Sequence, residues 1–276
     1  MITHMHKNLF KYSAKLSLWL ALAVLIISSP FNSSILHASA DTNLQQGDLT
    51  VIGVNSDGPG VLSILALTDI KDGTVVFITD HSWTGTSFSS AVNLDGVLTW
   101  TADTYLPRGT VVTITATKLE PAEFSASAGL LSSNGWNTTA QGAWGGGFGD
   151  SILLYQGSDL NPNFIFAFTN RSDNIDRDPL SGFYIQPDPN KSTLPANLSN
   201  SSYSTSLSGT NNHLDNLCYN GPKSGSKNEL LNSIHEASNW TGNGGLGNTA
   251  IEDFTTICGA NNFSVMHDLY LPIISK

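Results

Sequence analysis

The first residues whose chemistry could matter are carboxylates scattered through a chain of otherwise low charge: Asp80, Asp95, Asp103, Asp150, Glu229, Glu236, Glu252 and Asp253. Two convergent acids are all that glycoside hydrolysis requires. Spacing along the chain does not say which of these converge, and most stand where turns and helix caps place acids for structural reasons. A denser group runs from Asp173 through Asn174 and Asp176 to Asp178. Hard cations collect about six to eight oxygen ligands from loops of this kind, so Asp173, Asp176 and Asp178 form a candidate calcium site. The spacing is not that of an EF-hand, and Arg171 and Arg177 are placed to neutralise the same acids. Trp83, Trp136, Trp144 and Trp240 each neighbour Gly, Asn, Ser or Thr. A flat ring beside amides and hydroxyls suits the face of a sugar. Trp83, Trp136 and Trp144 are therefore the candidate ligand-binding residues, with burial as loop anchors the competing role for the same rings.

Nucleophile signatures are sparse. Phe148-Gly149-Asp150-Ser151-Ile152 resembles the block around the nucleophile of GDSL-type esterases, which implies Ser151 as nucleophile and a distant Asp-x-x-His to complete a triad. No Asp-x-x-His occurs in the chain, and the block lies mid-chain among strand-like segments, so a Gly-Asp turn leading into a buried strand accounts for it better. GxSxG and HExxH are absent as well. His81, His213, His235 and His267 stand in unrelated contexts, where surface or hydrogen-bonded structural roles are expected.

The N-terminus bounds the compartment. Lys7, Lys11 and Lys15 precede an apolar run from Leu16 to Ile27, and Ala38-Ser39-Ala40 follows. This is the layout of a signal peptide over 1–40. The run is shorter than the roughly 20 residues that span a bilayer, so no stable membrane insertion is expected after cleavage. Removing it takes three lysines from 12 basic against 22 acidic residues, leaving 9 against 22 and a formal charge of −13. Such a chain is repelled by phosphate backbones, which excludes nucleic acid as a natural partner. Cys218 and Cys258 are the only cysteines. In an exported protein an even pair forms a disulfide, closing a loop of about forty residues and contributing about 3–4 kcal/mol.

The elements that must position these residues are strands. Only 12% of residues are charged, and Gly, Ser, Thr and Asn dominate the polar set, the composition of an extracellular all-β protein. Leu49–Val54, Val61–Leu67 and Thr74–Thr79 are β-rich runs closed by Gly, Asp, Asn or Pro, predicting a β-meander over Gly47–Trp83. Gly96–Thr101, Thr110–Thr117, Ser151–Tyr155, Phe164–Phe168 and Leu269–Ile274 are further strands, and another is expected around Ile251–Cys258. The frame GTVVxIT occurs at Gly73 and again at Gly109, 109 − 73 = 36 residues apart. Two copies mark similar strands after similar turns rather than a solenoid. Phe164, Phe166 and Phe168 alternate, placing three rings on one face. Glu120–Gly149 reads as a long surface excursion and Asn170–Gly209 as covering loops. Ser226-Lys227-Asn228-Glu229 is a capping box ahead of Leu230, Leu231, Ile234 and Ala237, predicting one helix that ends before Asn239-Trp240.

Taken in order, GDLTVIGVNSDG, LALTDIKDGTVVFITDHSW, GVLTWTA, GDSILLYQGS with PNFIFAF, STLPANL and LDNLCYNG resemble a module of exported and surface proteins of bacteria, related to lamin-tail-like β-sandwich domains. The resemblance spans roughly Gly47 to Trp240, and the closing LYLPII is similar to tails of secreted proteins from filamentous bacteria. It implies a β-sandwich and carries no activity. The sequence thus predicts an all-β, mainly antiparallel β-sandwich with one short α-helix near the C-terminal third. It forms a single domain over 41–276, or one with a capping subdomain over 171–276. The expected role is a secreted or cell-surface binding module for extracellular polysaccharide or another surface protein. A secreted hydrolase of glycans or esters and a structural envelope protein are the alternatives.

Overall fold

Two turns of one construction deliver the chain into two different sheets. The computed structural model describes residues 41–55, 60–89, 96–119, 122–136, 144, 151–170, 176, 178, 181–186, 191–198, 203–207, 216–243 and 262–267. The chain divides into two compact units, Met1–Ala38 and Ser39–Lys276, and all described residues belong to the second. Strands β1 (Leu49–Asn55) and β2 (Val61–Ala66) pair antiparallel. At Gly73 the backbone turns through φ +83°, with Thr74 N–H donating to the Lys71 carbonyl at 3.2 Å. Gly109 repeats this at φ +88°, with Thr110 N–H on the Pro107 carbonyl at 3.1 Å. Glycine takes this left-handed conformation without a Cβ penalty. The repeated GTVVxIT frame is therefore two equivalent crossovers. The first leads into β3 (Val75–Thr79), paired with β4 (Val97–Thr101), and the second into β5 (Val111–Leu119), paired with β2.

The expected three-stranded meander is thus corrected. β3 does not pair with β2; the chain crosses the end of the sandwich between them, where Ile70 and Leu106 bridge the two crossovers. The predicted excursion after Glu120 holds two strands, β6 (Ala122–Ala126) and β7 (Leu130–Asn134). Then come β8 (Ser151–Ser158) and β9 (Asn161–Thr169), which run almost to a common turn where a longer connector was expected. β10 (Ser204–Ser206), β11 (Asn216–Tyr219), β12 (Ser224–Ser226), α1 (Lys227–His235), β13 (Trp240–Asn243) and β14 (Ser264–Met266) complete the described elements. The first sheet has the order β13-β11-β1-β2-β5-β6, the second β10-β9-β8-β3-β4-β7, and β12 and β14 form a small parallel pair. β10 joins β9 in parallel and all other pairs of the two large sheets are antiparallel. This is an all-β fold with one short α-helix among the described residues, and strands from beyond residue 171 complete both sheets.

The main core lies between the sheets, with Val76, Ile78, Leu98 and Trp100 facing Val54, Leu62, Ile64 and Ile114. A second apolar cluster lies on the outer face of the second sheet, where Leu153, Tyr155 and Phe164 are covered by Trp83, Phe183 and Leu198. The phenylalanine stripe divides between the two. Leu154 pairs with Phe166 but Tyr155 pairs with Phe164, so Ile165 is an extra residue in a β-bulge. Phe166 and Phe168 point into the main core while Phe164 joins the outer cluster.

Helix α1 forms as its capping box predicts. Glu229 N–H donates to Ser226 Oγ, and Ser226 N–H donates to Glu229 Oε2 at 2.8 Å. It buries Leu230, Leu231 and Ile234 and closes one side of the sandwich. Its C-terminal turn accepts from Thr205 Oγ1 of β10 and from Trp240 Nε1 of β13 through the Ile234 carbonyl, while His235 Nδ1 donates to the Ser204 carbonyl at 2.7 Å. Lys227 holds it to the start of β1 through Asp48 at 2.6 Å and the Gln46 carbonyl at 3.0 Å. The strands expected at Ile251–Cys258 and Leu269–Ile274 lie outside the described residues.

Candidate functional site

Tryptophan in a glycine-rich context has two fates, and these three side chains take the buried one. Trp83 is 7% exposed. Its ring stands edge-on to Phe88 at 5.2 Å and to Phe164 at 4.8 Å, and its backbone is tied to Ser192 Oγ and to Thr193. Trp136 is 7% exposed and Trp144 fully buried, 5.1 Å apart, and both pack on Phe124 of β6. Trp83 thus seals the outer cluster, while Trp136 and Trp144 fill the sandwich margin beside β6 and β7. Packed rings have no free face for stacking, so the exposed sugar platform expected of Trp83, Trp136 and Trp144 is corrected to the anchoring role. Local composition marks such rings as loop residues but carries no signal of what covers them.

Three of the candidate acids and hydroxyls are engaged in the fold. Ser151 begins β8, is buried, and donates to Thr169 Oγ1 of β9 at 3.2 Å, the role of the first residue of a buried strand. Asp80 is buried and its Oδ1 accepts from Gly96 N–H at 3.0 Å. Glu229 is the capping acid, and the Ser226 backbone N–H bond holds its carboxyl below the usual range. Asp103 and Glu236 are exposed. Asp95, Asp150, Glu252, Asp253 and His213 lie outside the described residues.

Of the candidate calcium ligands, Asp173 lies outside the described residues. Asp176 adopts φ +60° and its carbonyl accepts from Ile185 N–H at 2.9 Å. Asp178 caps a turn, with Oδ2 accepting from Ser181 N–H at 3.2 Å. Among the described residues no three His, Cys, Asp or Glu side chains gather as metal ligands would. Cys218 is buried on β11 with Gly53 opposite it and Val61 against it. No described cysteine is free, and Cys258 lies outside the described residues.

Sequence reasoning missed an ion cluster and an open surface. Arg108 grips Asp69 through Nη2–H on Oδ2 at 2.9 Å, Nε–H on Oδ1 at 3.2 Å and its own backbone N–H. The Arg108 bonds hold the Asp69 carboxyl well below the ordinary range. A second Arg108 N–H reaches His267 Nδ1 at 3.0 Å. A guanidinium only donates, so that imidazole nitrogen accepts. This cluster joins a crossover to the segment carrying β14.

The open surface is the half of the second sheet's outer face beyond the aromatic cluster, with Phe77 at the border, half-buried against that cluster. Opposed residues of antiparallel strands share a face. Here Phe77, Thr99 and Ser132 stand in register across β3, β4 and β7, flanked by Val75, Thr101 and Leu130 on one side and by Val97 and Asn134 on the other. All are half-buried or exposed, and none is ionisable. Where β3 meets β8, the face runs into a groove of about 420 Å³ lined by Asp41, Thr42, Asn43, Val75, Phe77, Gln156 and Gly157. One wall is the segment entering the fold. Gln156 clamps it, donating to the Thr42 and Val75 carbonyls and accepting from Leu44 N–H at 2.9 Å.

The molecule is thus defined as a two-sheet β-sandwich with an uncharged outer face. No family model, no curated protein and no solved structure matches the chain. No described helix is long and apolar enough to cross a membrane.

Proposed function

We propose that this chain is an exported β-sandwich module that acts by binding an extracellular polysaccharide or another surface protein. One observation carries the reading. Ser151, Asp80 and Glu229 commit their functional groups to the fold, while the surface left open is an uncharged sheet face with a groove. A group whose lone pairs and protons already serve hydrogen bonds within the fold is a poor nucleophile or proton shuttle, whereas an accessible, uncharged, hydrogen-bonding face is what a neutral partner needs. Export is supported by the lysines and apolar run ahead of Ala38-Ser39-Ala40, and by a compact unit that starts at Ser39. A disulfide between Cys218 and Cys258 belongs to the same reading.

The test is a glycan array and a pull-down of surface proteins with the mature chain from Asp41, each with and without chelator. Retention on at least one glycan or protein supports the reading. Asp178 already caps a turn, so chelation should leave binding unchanged. Retention on neither rules out binding as the role.

A further inference from the structure

Among the described residues, the open outer face of the second sheet carries no ionisable side chain. The chain has 22 acidic and 12 basic residues, yet Phe77, Thr99, Thr101, Ser132 and Asn134 present a continuous neutral surface over three strands, about 10 Å from β3 to β7. We propose that this face binds an uncharged polysaccharide chain lying across β3, β4 and β7 and entering the groove beside Asp41–Asn43. The inference rests on the binding role argued above and gives that role a site and a ligand class.

The chemistry of the face selects the ligand. Thr99, Thr101 and Ser132 supply hydroxyls that donate and accept, and Asn134 supplies an amide that does both, which matches a polymer whose polar groups are all hydroxyls. Phe77, half-buried with one side stacked on Tyr155, supplies an apolar edge against which the C–H face of a sugar ring packs. Its orientation is fixed, because it stacks on Tyr155 at 5.2 Å and Tyr155 O–H donates to Asp159 at 2.6 Å. A rigid face loses little entropy when it binds. Charge opposes two other occupants. An anionic polymer finds no Lys or Arg along the strands. A second copy brings a mature charge of −13 toward another −13, a repulsion that opposes pairing. A neutral glycan meets neither penalty.

The test is affinity electrophoresis of the mature chain through gels holding neutral polymers (hydroxyethylcellulose, galactomannan, xylan) or anionic ones (alginate, polygalacturonate). Thr99→Glu and Ser132→Glu place a charge on the face without entering the core, and Thr241→Glu places one on exposed β13 of the other sheet as a control. The expected result is retardation by at least one neutral polymer and by neither anionic one. Each face variant should weaken binding about tenfold or more, with the control unaffected and melting temperatures alike. Neutral-glycan binding that both face variants retain would overturn the site while leaving the binding role intact. Retardation only by anionic polymers would overturn the ligand class. No retardation by any polymer would overturn the inference and leave the binding role to a protein partner, which the pull-down decides.

Discussion

Trp83 buries a large ring while its Nε1–H finds no acceptor. An unpaired buried donor costs about 1–3 kcal/mol, so the ring's contribution is packing rather than hydrogen bonding. Trp83→Phe should leave stability within about 1 kcal/mol of the parent, whereas Trp83→Ala should cost about 3–5 kcal/mol through the cavity beside Phe88 and Phe164; urea denaturation separates the two. Gly129 is the opposite case, a residue that matters for what it lacks. It sits at φ +81°, and an added Cβ would meet the Trp100 ring and lie 2.7 Å from the Thr101 carbonyl. Gly129→Ala should therefore destabilise by about 2 kcal/mol or more. Asp69 gives the pH dependence. Its folded carboxyl is held below the ordinary range by Arg108, so its contribution is complete above pH about 4 and is lost as acid titrates the folded form. Partial exposure and solvent screening limit it to about 1 kcal/mol or less. Asp69→Asn should lower the melting temperature slightly at neutral pH and flatten its fall between about pH 5 and pH 2. Anchoring by Trp83 was one of two roles its local context allowed; those of Gly129 and Asp69 were not legible, because each depends on a neighbour about thirty or more residues away.

Among the elements, those with a strong local signal were legible. The five strands from β1 to β5 and the helix lie within a residue or two of their expected bounds, because β-branched runs, glycine turns and a capping box are local codes. Ser226→Ala should cost about 1 kcal/mol by removing the cap, as a calorimetric scan would register. β6 and β7 escaped notice because Ala122–Ala126 and Leu130–Asn134 are short and mix small and polar residues; their strand state comes from pairing with β5 and β4. The bulge escaped for a related reason. Perfect alternation at Phe164, Phe166 and Phe168 places all three on one face, and only the pairing partner shows that Ile165 breaks the period. Deleting Ile165 would remove the bulge, leave Phe164 and Phe166 on opposite faces as they are now, and empty a fully buried core position, so the variant is expected to stay folded but lose about 2–5 kcal/mol.

For the whole molecule, the fold class was legible from composition, but the crossing between sheets was not. A turn of Lys71-Asp72-Gly73 type serves equally to join neighbouring strands or to carry the chain over the end of a sandwich. Distant parts of the described chain are joined by long-range contacts: β11 lies against β1, and Arg108 reaches His267. A disulfide from Cys218 to Cys258 would add to these, and the mature protein is expected to show no reactive thiol until reduced, then to lose about 3–4 kcal/mol of stability. What this assembly does with a partner is decided by incubating the mature chain with insoluble neutral polysaccharides and following, in the same tubes, protein lost from the supernatant and reducing ends released into it. A binding role predicts depletion of the protein with no new reducing ends. Reducing ends accumulating in proportion to protein and time would contradict it and make the molecule a hydrolase.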